Sequence, residues 1–454
     1  MEITTTKIKD NTLIKTKTFR MKAFLISFFI IYFGTSVIDI YFLIYLPLFY
    51  FSILKINAMA LTMIQYGIYS TALFLPISGL IFDKFIRRRH LILIFIICFL
   101  IASSFFFFSF YGENLVIYNL FSIMYFISQA LLRGCMSNFF FKLLSKMPEK
   151  KSQNSFLVVV NSSSITAYLL IGVIFNLTIK KIHNLSEWNS FLIFGSILVL
   201  SIIIGPILLK FTNFKKYFND TKLDKEIGKS QIISLNHLKP ALFNKKIFVP
   251  MILIYLTGFL SSSDQLYSYT FSSWILIKFG DNNFKLYTTL FSTFQILILI
   301  GYFFFQRLLN NKLKSLETPF VCSYEREKAY NTFRKQILVL SALSFCILYL
   351  IFTTVDFIPF MFFYGLFSLL AGIYNISLTN FNIDFSRRLK NQAFFYLLSG
   401  TSISLAQFIF KPLGILLTKT LTVEGLMMIT SLLTLISIIP LWYSKLPIQE
   451  NYQN

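Results

Sequence analysis

The chain has 454 residues, of which 56% are apolar and only 13% charged, and its mean hydropathy is +0.68. A soluble globule of this length needs far more polar surface, so the composition excludes that class and favours a membrane protein. The net charge of +23 resides mostly in short connections between apolar runs, and this placement argues against a nucleic-acid-binding surface.

Apolar runs bounded by charged residues predict about twelve transmembrane helices, each near the ~20 residues that cross a bilayer. Barrel strands are disfavoured because they would alternate apolar and polar positions. In chain order we place the spans at 23–51, 58–82, 91–111, 115–141, 156–179, 188–210, 247–277, 285–307, 336–355, 357–381, 392–418 and 424–444.

The longest polar connection divides the spans into two sets of six. We therefore expect an N-terminal tail, a first six-helix bundle, a linker, a second six-helix bundle and a C-terminal tail, at 1–22, 23–210, 211–246, 247–445 and 446–454. The linker is basic, so we expect it to lie on the anionic lipids of the cytoplasmic face.

The distribution of Lys and Arg predicts the orientation of the chain. With the N-terminus inside, 34 basic residues lie on the cytoplasmic side and six on the opposite side, and two fall within spans. Such an excess is typical of cytoplasmic connections. We expect a multi-pass protein of the cell membrane with both termini in the cytoplasm.

The two sets of spans resemble each other near their first helix. The segment 31–34 (Ile-Tyr-Phe-Gly) precedes Asp39, and the segment 254–258 (Ile-Tyr-Leu-Thr-Gly) precedes Asp264. Two halves with corresponding membrane carboxylates are typical of a duplicated transporter whose binding site lies between the repeats.

The connection after the second span resembles the motif G-x-x-x-D-[RK]-x-G-[RK]-[RK] of the major facilitator superfamily. Ile86 replaces the second glycine, and the motif's other positions are occupied by Gly79, Asp83, Lys84, Arg87 and Arg88. The equivalent stretch of the second half, 301–314, has no acidic residue. Span five lacks the G-P-x-x-G-G run of drug/proton antiporters, so no subfamily is indicated.

The resemblance implies an all-α polytopic fold of about twelve helices in two pseudo-symmetric six-helix bundles. It also implies a secondary transporter that works by alternating access, as a monomer. The residues of the motif would form a conformational latch between helices, in which Gly79 permits close helix approach.

Four ionisable side chains lie within the predicted spans, namely Asp39, Arg133, Asp264 and Lys411. Each costs ~2.5–3.5 kcal/mol to insert, so each is a candidate for function. We hypothesise that the aspartates bind H+, Na+ or a cationic part of the substrate. In the alternative reading, each aspartate forms a structural ion pair that only joins helices. We expect the aspartates to face a water-filled cavity between the two halves, and the polar residues expected to line it are Gln265, Asn375 and Gln407.

The sequence has no Walker loop, nucleophile elbow or metal-spaced His and Cys cluster, so we expect no catalysis, cofactor or metal site. The expected partners are a small solute, a coupling H+ or Na+ and membrane lipids. Other readings are a facilitative uniporter or efflux permease of the same fold, a non-transporting receptor or scaffold, and a lipid-modifying membrane enzyme.

Overall fold

The structure is a computed structural model that describes residues 24–46, 49–50, 54–55, 72–84, 90–111, 114–146, 150–180, 184–211, 244–316, 323–389, 391–418 and 420–444. The predicted tails, most of the linker and the motif residues Arg87 and Arg88 lie outside these ranges. The side chains of Asp83 and Lys84 are also outside the description.

The first half of the chain contains seven described helices. Two of them, α6 (Leu185–Leu200) and α7 (Ile204–Phe211), belong to one predicted span and are joined by the 3-10 turn Ser201–Ile203. The seven are α1 (Phe24–Ile40), α2 (Leu75–Lys84), α3 (His90–Tyr111), α4 (Leu115–Lys146), α5 (Lys150–Thr178), α6 (Leu185–Leu200) and α7 (Ile204–Phe211).

The second half also contains seven described helices. They are α8 (Lys245–Ser261), α9 (Ser268–Phe279), α10 (Asp281–Leu316), α11 (Ser323–Phe352), α12 (Phe357–Arg387), α13 (Gln392–Leu417) and α14 (Val423–Tyr443).

Every predicted span contains at least one described helix, which confirms the all-α polytopic class. In the described part of the chain, nine helices are long and apolar enough to cross a membrane. Several helices extend beyond the predicted spans; α11, for example, begins at Ser323 instead of 336. Hydropathy marks only the lipid-embedded part, whereas the helix continues wherever its backbone hydrogen bonds can be made.

The first helix of each half departs from regular α-helical geometry near its aspartate. In the first half, the π-helical segment Tyr41–Tyr45 directly follows α1. In the second half, the predicted span at 247–277 is not one continuous helix, because α8 ends at Ser261 and the 3-10 turn Ser263–Leu266 separates it from α9. Such interruptions of a helix often mark functional hinges.

Hydroxyl groups explain the break in the second half. The Ser262 hydroxyl donates to the Gly258 carbonyl at 2.9 Å, and such a bond competes with the backbone ladder. From α14, the Thr430 hydroxyl donates to the Ser263 carbonyl at 3.1 Å. The turn therefore has hydrogen-bond partners outside its own helix, and α14 holds it in place.

The two halves meet through α2, α4 and α5 of the first half and α10, α12 and α13 of the second. At Gly79, a Cβ atom would lie 2.9 Å from backbone atoms of Ala393 and Phe394, so α2 and α13 touch backbone to backbone. The rings of Phe141 and Tyr396 pack 5.6 Å apart in the same region. These contacts lie toward the end of the bundle that carries the basic connections, which we call the basic end.

A buried ion pair stabilises the basic end of the second half. Arg334 of α11 is fully buried, and its guanidinium donates to Asp384 of α12 at 2.8 Å and to Asn331 at 2.7 Å. It also lies 5.1 Å from the ring centroid of Tyr330 and 5.3 Å from that of Phe381. The faces of aromatic rings attract a cation. The guanidinium thus joins α11 to α12.

Two further contacts join α11 to the ends of α12 and α14. Arg388 forms an ion pair with Glu327, and Lys335 donates to the carbonyls of Trp442 and Ser444 at the end of α14. A cation there complements the helix dipole. Arg334 lies just before the predicted ninth span, 336–355, yet it is buried within α11. This network is not evident in the sequence, because its acidic partners lie on α11 and α12 and not in the stretch 301–314.

We predict that Arg334→Met lowers the free energy of unfolding by about 3 kcal/mol, because it leaves Asp384 without its buried partner. Thermal unfolding in detergent measures the change, and Lys328→Gln on the exposed surface of α11 is the control. The double variant Arg334→Met/Asp384→Leu should regain most of the loss. An Arg334→Met midpoint equal to that of the control would contradict the assignment.

Candidate functional site

Asp39 of α1 is surrounded by a row of donors on α4. The Tyr125 hydroxyl lies 2.9 Å from Oδ1, the Gln129 amide donates to both carboxylate oxygens at 2.8 Å, and Arg133 Nη2 donates to Oδ2 at 3.2 Å. These donors are spaced at i, i+4 and i+8, so they lie on one face of the helix. The face fixes the carboxylate between α1 and α4.

The packing around this site positions the donors. Tyr125 stacks on Phe42 with ring centroids 5.6 Å apart, and its hydroxyl also lies 3.0 Å from the Thr35 carbonyl. A hydroxyl bond of 2.8 Å between Ser36 and Ser164 joins α1 to α5. The helix α1, which carries Asp39, is therefore held by hydrogen bonds to α4 and to α5.

Arg133 points into the bundle. A long basic side chain near a helix end often reaches for the interface, yet here the guanidinium lies on Asp39. The Arg133 side chain is 43% exposed, whereas that of Asp39 is 21% exposed. The guanidinium also interacts electrostatically with Tyr32 of α1 and Tyr396 of α13. Arg133 therefore faces the space between the two halves.

The second half contains a related arrangement. Asp264 lies in the 3-10 turn and accepts a hydrogen bond from the Gln265 amide at 3.1 Å. Lys411 of α13 is only 5% exposed and interacts electrostatically with Asp264. At Gly414 a Cβ atom would overlap the Leu266 carbonyl, so α13 packs directly on the turn. Each half thus places a base from another helix near its aspartate.

One face of α13 connects the two regions. Tyr396, Gly400, Gln407 and Lys411 are spaced by four, seven and four residues, which places them on one face of a helix. A Cβ atom on Gly400 would have no neighbour within 4 Å, and Gln407 is partly buried. Gly400 therefore borders open space, and we call the space along this face of α13 the central cavity.

The structure separates the remaining predicted residues from the aspartates. Asn375 is exposed on α12, and within the described ranges neither Asn375 nor Gln407 forms a hydrogen bond or ion pair with the four charged residues. The motif residue Gly79 lies at the contact between α2 and α13, but its role as a latch stays a prediction. Tyr125 was not among the predicted site residues, because only its spacing from Gln129 and Arg133 distinguishes it in the sequence.

The donor set does not resemble a metal site. No group of three or more His, Cys, Asp and Glu residues that could hold a metal ion occurs among the described residues. The cysteines Cys98, Cys135 and Cys346 are buried thiols. The chemistry available near both aspartates is that of a carboxylate beside a cation.

Comparison with known proteins gives a structural match without a sequence match. No protein-family model matches the sequence, and no curated protein matches it. Among solved structures, the chain matches the crystal structure of a bacterial homologue of the iron transporter ferroportin in its outward-facing state. The TM-score is 0.65 at 13% identity, and the alignment covers 94% of this chain and 100% of the other. The chain therefore has the fold of a membrane transporter.

This match confirms the expected architecture of two six-helix bundles of the major facilitator type. With the apolar helices, it identifies the chain as a multi-pass integral membrane protein. At this level of identity the likeness concerns the fold, and the activity has to be argued from the residues.

We predict that a cysteine at Gly400 reacts with a membrane-impermeant thiol reagent, because this position borders open space. In a background without the four native cysteines, Gly400→Cys should be labelled only from the side opposite the basic end, since contacts between the halves close that end. Ala406→Cys is the control on the same helix, because Ala406 is fully buried. Labelling from the basic side, or equal labelling of both variants, would contradict the cavity.

Proposed function

We propose that the chain is a secondary active transporter that carries a small solute by alternating access and is coupled to H+ or Na+ through Asp39 and Asp264. The observation that carries this proposal is a carboxylate with a base near it in each half: Asp39 forms an ion pair with Arg133 at 3.2 Å, and Asp264 interacts electrostatically with Lys411. Ionisable groups in a membrane are expensive and are typical of substrate and ion pathways.

The depth of these groups supports the proposal. Asp39 lies 15 residues after Phe24, or about 22 Å along α1, and Lys411 lies 19 residues into α13, or about 28 Å. The contacts between the halves lie closer to the basic end, as at Gly79 and Ala393. The charged groups therefore lie beyond that contact, where a solute would reach them from the end opposite the basic end.

The interrupted helices provide the flexibility that alternating access needs. The segment Tyr41–Tyr45 and the turn Ser263–Leu266 each separate a helical part near the basic end from a part near the opposite end. A change of backbone angles there would let the outer part move while the inner part stays packed. The contact of α2 with α13 would open in the other conformation.

Coupling would act on the ion pairs. Protonation of Asp39 would remove its attraction for Arg133 but leave the contacts with Tyr125 and Gln129, so the pair would loosen without the loss of the site. Binding of Na+ to the carboxylate would compete with the base in the same way. The ion would thus change the conformational balance through a pair that bridges two helices.

A facilitative uniporter or efflux permease of the same fold is the second candidate. Each aspartate already has a base beside it, and a permanent pair would only join helices. We further propose that the protein works as a monomer in the cell membrane, with both termini in the cytoplasm and its basic linker on anionic lipids.

We predict that purified protein in proteoliposomes moves at least one solute of a broad panel, and that imposed H+ or Na+ gradients change the rate. Asp39→Asn and Asp264→Asn should each reduce the response to the gradient at least tenfold, because the neutral amide of Asn cannot take up and release a proton and lacks the negative charge that attracts Na+. Asp356→Asn, in an exposed connection, is the control.

Full gradient dependence in both aspartate variants would exclude coupling through these residues. A wild-type transport rate that does not change with either gradient would favour the facilitative uniporter. The absence of any flux would refute transport itself.

A further inference from the structure

We infer that the solute is a small organic anion, and that its carboxylate or phosphate group binds Arg133 in the central cavity. This inference rests on the proposed transport function and specifies the class of its substrate. It follows from the hydrogen bonds at the site: the acceptor oxygens of Asp39 are largely engaged, whereas most N–H donors of Arg133 are open.

The acceptor capacity of Asp39 is largely occupied. Its two oxygens receive the Tyr125 hydroxyl, both Gln129 contacts and one Arg133 nitrogen. A cationic substrate would have to displace several of these donors before it could bind the carboxylate. The site is therefore poorly suited to take up a cationic substrate, which is larger than the coupling H+ or Na+.

The donor capacity of Arg133 is largely open. A guanidinium has five N–H donors, and in the described structure only Nη2 is engaged, at 3.2 Å from Asp39. The Arg133 side chain is also twice as exposed as its partner, at 43% against 21%. Two parallel N–H groups match the oxygens of a carboxylate or phosphate.

The neighbours of Arg133 place the open guanidinium where a substrate would contact both halves. Tyr32 belongs to the first half and Tyr396 to the second, and both interact electrostatically with Arg133. Their hydroxyls can donate to an anion or accept from its polar groups. An anion bound here would bridge the two halves near the contact that closes the basic end.

The same sign of charge recurs along the cavity. Lys411 lies 15 residues beyond Tyr396 on the same face of α13, or about 22 Å, and Gln407 is one turn away from it. A free divalent cation would meet a base beside each aspartate. The structural neighbour is named for iron, but these bases disfavour an unchelated metal ion as the cargo of this chain.

Anion binding would also change the state of Asp39. The substrate would compete with Asp39 for Arg133, and the carboxylate would keep only Tyr125 and Gln129. Two consequences follow: removal of Arg133 should abolish anion binding, and neutralisation of Asp39 should strengthen it. A pair with a purely architectural role would give the opposite result for Asp39, because either change would damage the same structure.

The test measures binding by thermal stabilisation of the purified full chain and transport in proteoliposomes. The probes are succinate and lactate as carboxylates, inorganic phosphate and glycerol 3-phosphate as phosphates, and glucose, choline and Mn²⁺ as non-anionic comparisons. We expect at least one anion to stabilise the wild type. Arg133→Gln should abolish this effect, whereas Arg307→Gln, which removes an exposed base of α10, should preserve it.

Two further variants make the result specific. Arg133→Lys keeps the charge but loses the two-pronged geometry, so it should bind the anion at least several-fold more weakly while remaining folded. Asp39→Asn should bind the anion about fivefold more tightly, since it removes a partly exposed competing ion pair. A carboxylate-only or phosphate-only response identifies the group.

Stabilisation by choline, Mn²⁺ or glucose alone would overturn the inference, as would the absence of any anion effect. Equal loss of anion binding in Asp39→Asn and Arg133→Gln would overturn it too. Failure of the transport proposal looks different, because anions would still bind through Arg133 while no solute enters the proteoliposomes. If the protein transports a cation or a neutral solute and Arg133 is not needed, the transport proposal stands and the inference of an anionic substrate is refuted.

Discussion

A charge within a membrane must be compensated by another charge or by hydrogen bonds, and this constraint determines how the helices of this protein are placed. Asp39 is compensated from α4, so α1 and α4 lie side by side. Asp264 has Lys411 of α13 in electrostatic range, and Gly414 lets α13 pack on the interrupted turn. The central cavity lies between helices that these polar contacts hold in place.

Charged pairs in this structure are of two kinds. Arg334 is fully buried, lies near two aromatic rings and donates to Asp384 and Asn331, which suits a permanent joint between α11 and α12. Arg133 has one contact with Asp39 and is 43% exposed. A pair that is open to the cavity and made by one nitrogen can be broken by an ion or an anion, so we assign the transport chemistry to it.

The sequence predicted the parts of this account that depend on local composition. Apolar runs revealed the spans, and the cost of insertion singled out Asp39, Arg133, Asp264 and Lys411. Long-range contacts decide the rest. Hydropathy does not show that α14 holds the turn at Ser263, that Tyr125 completes the site, or that Arg334 is buried against an acid fifty residues away. These features depend on side chains that only the folded bundle brings together.

Alternating access around the paired charges is the central claim, and distances between spin labels on the two halves test it most directly. Lys210 and Lys314 are exposed sites toward the basic end of each half, and Asn114 and Asp356 are exposed sites at the opposite end. On addition of a transported solute, the account predicts that the first pair moves apart while the second moves closer. Unchanged distances at both ends, under conditions in which the solute is transported, would contradict it.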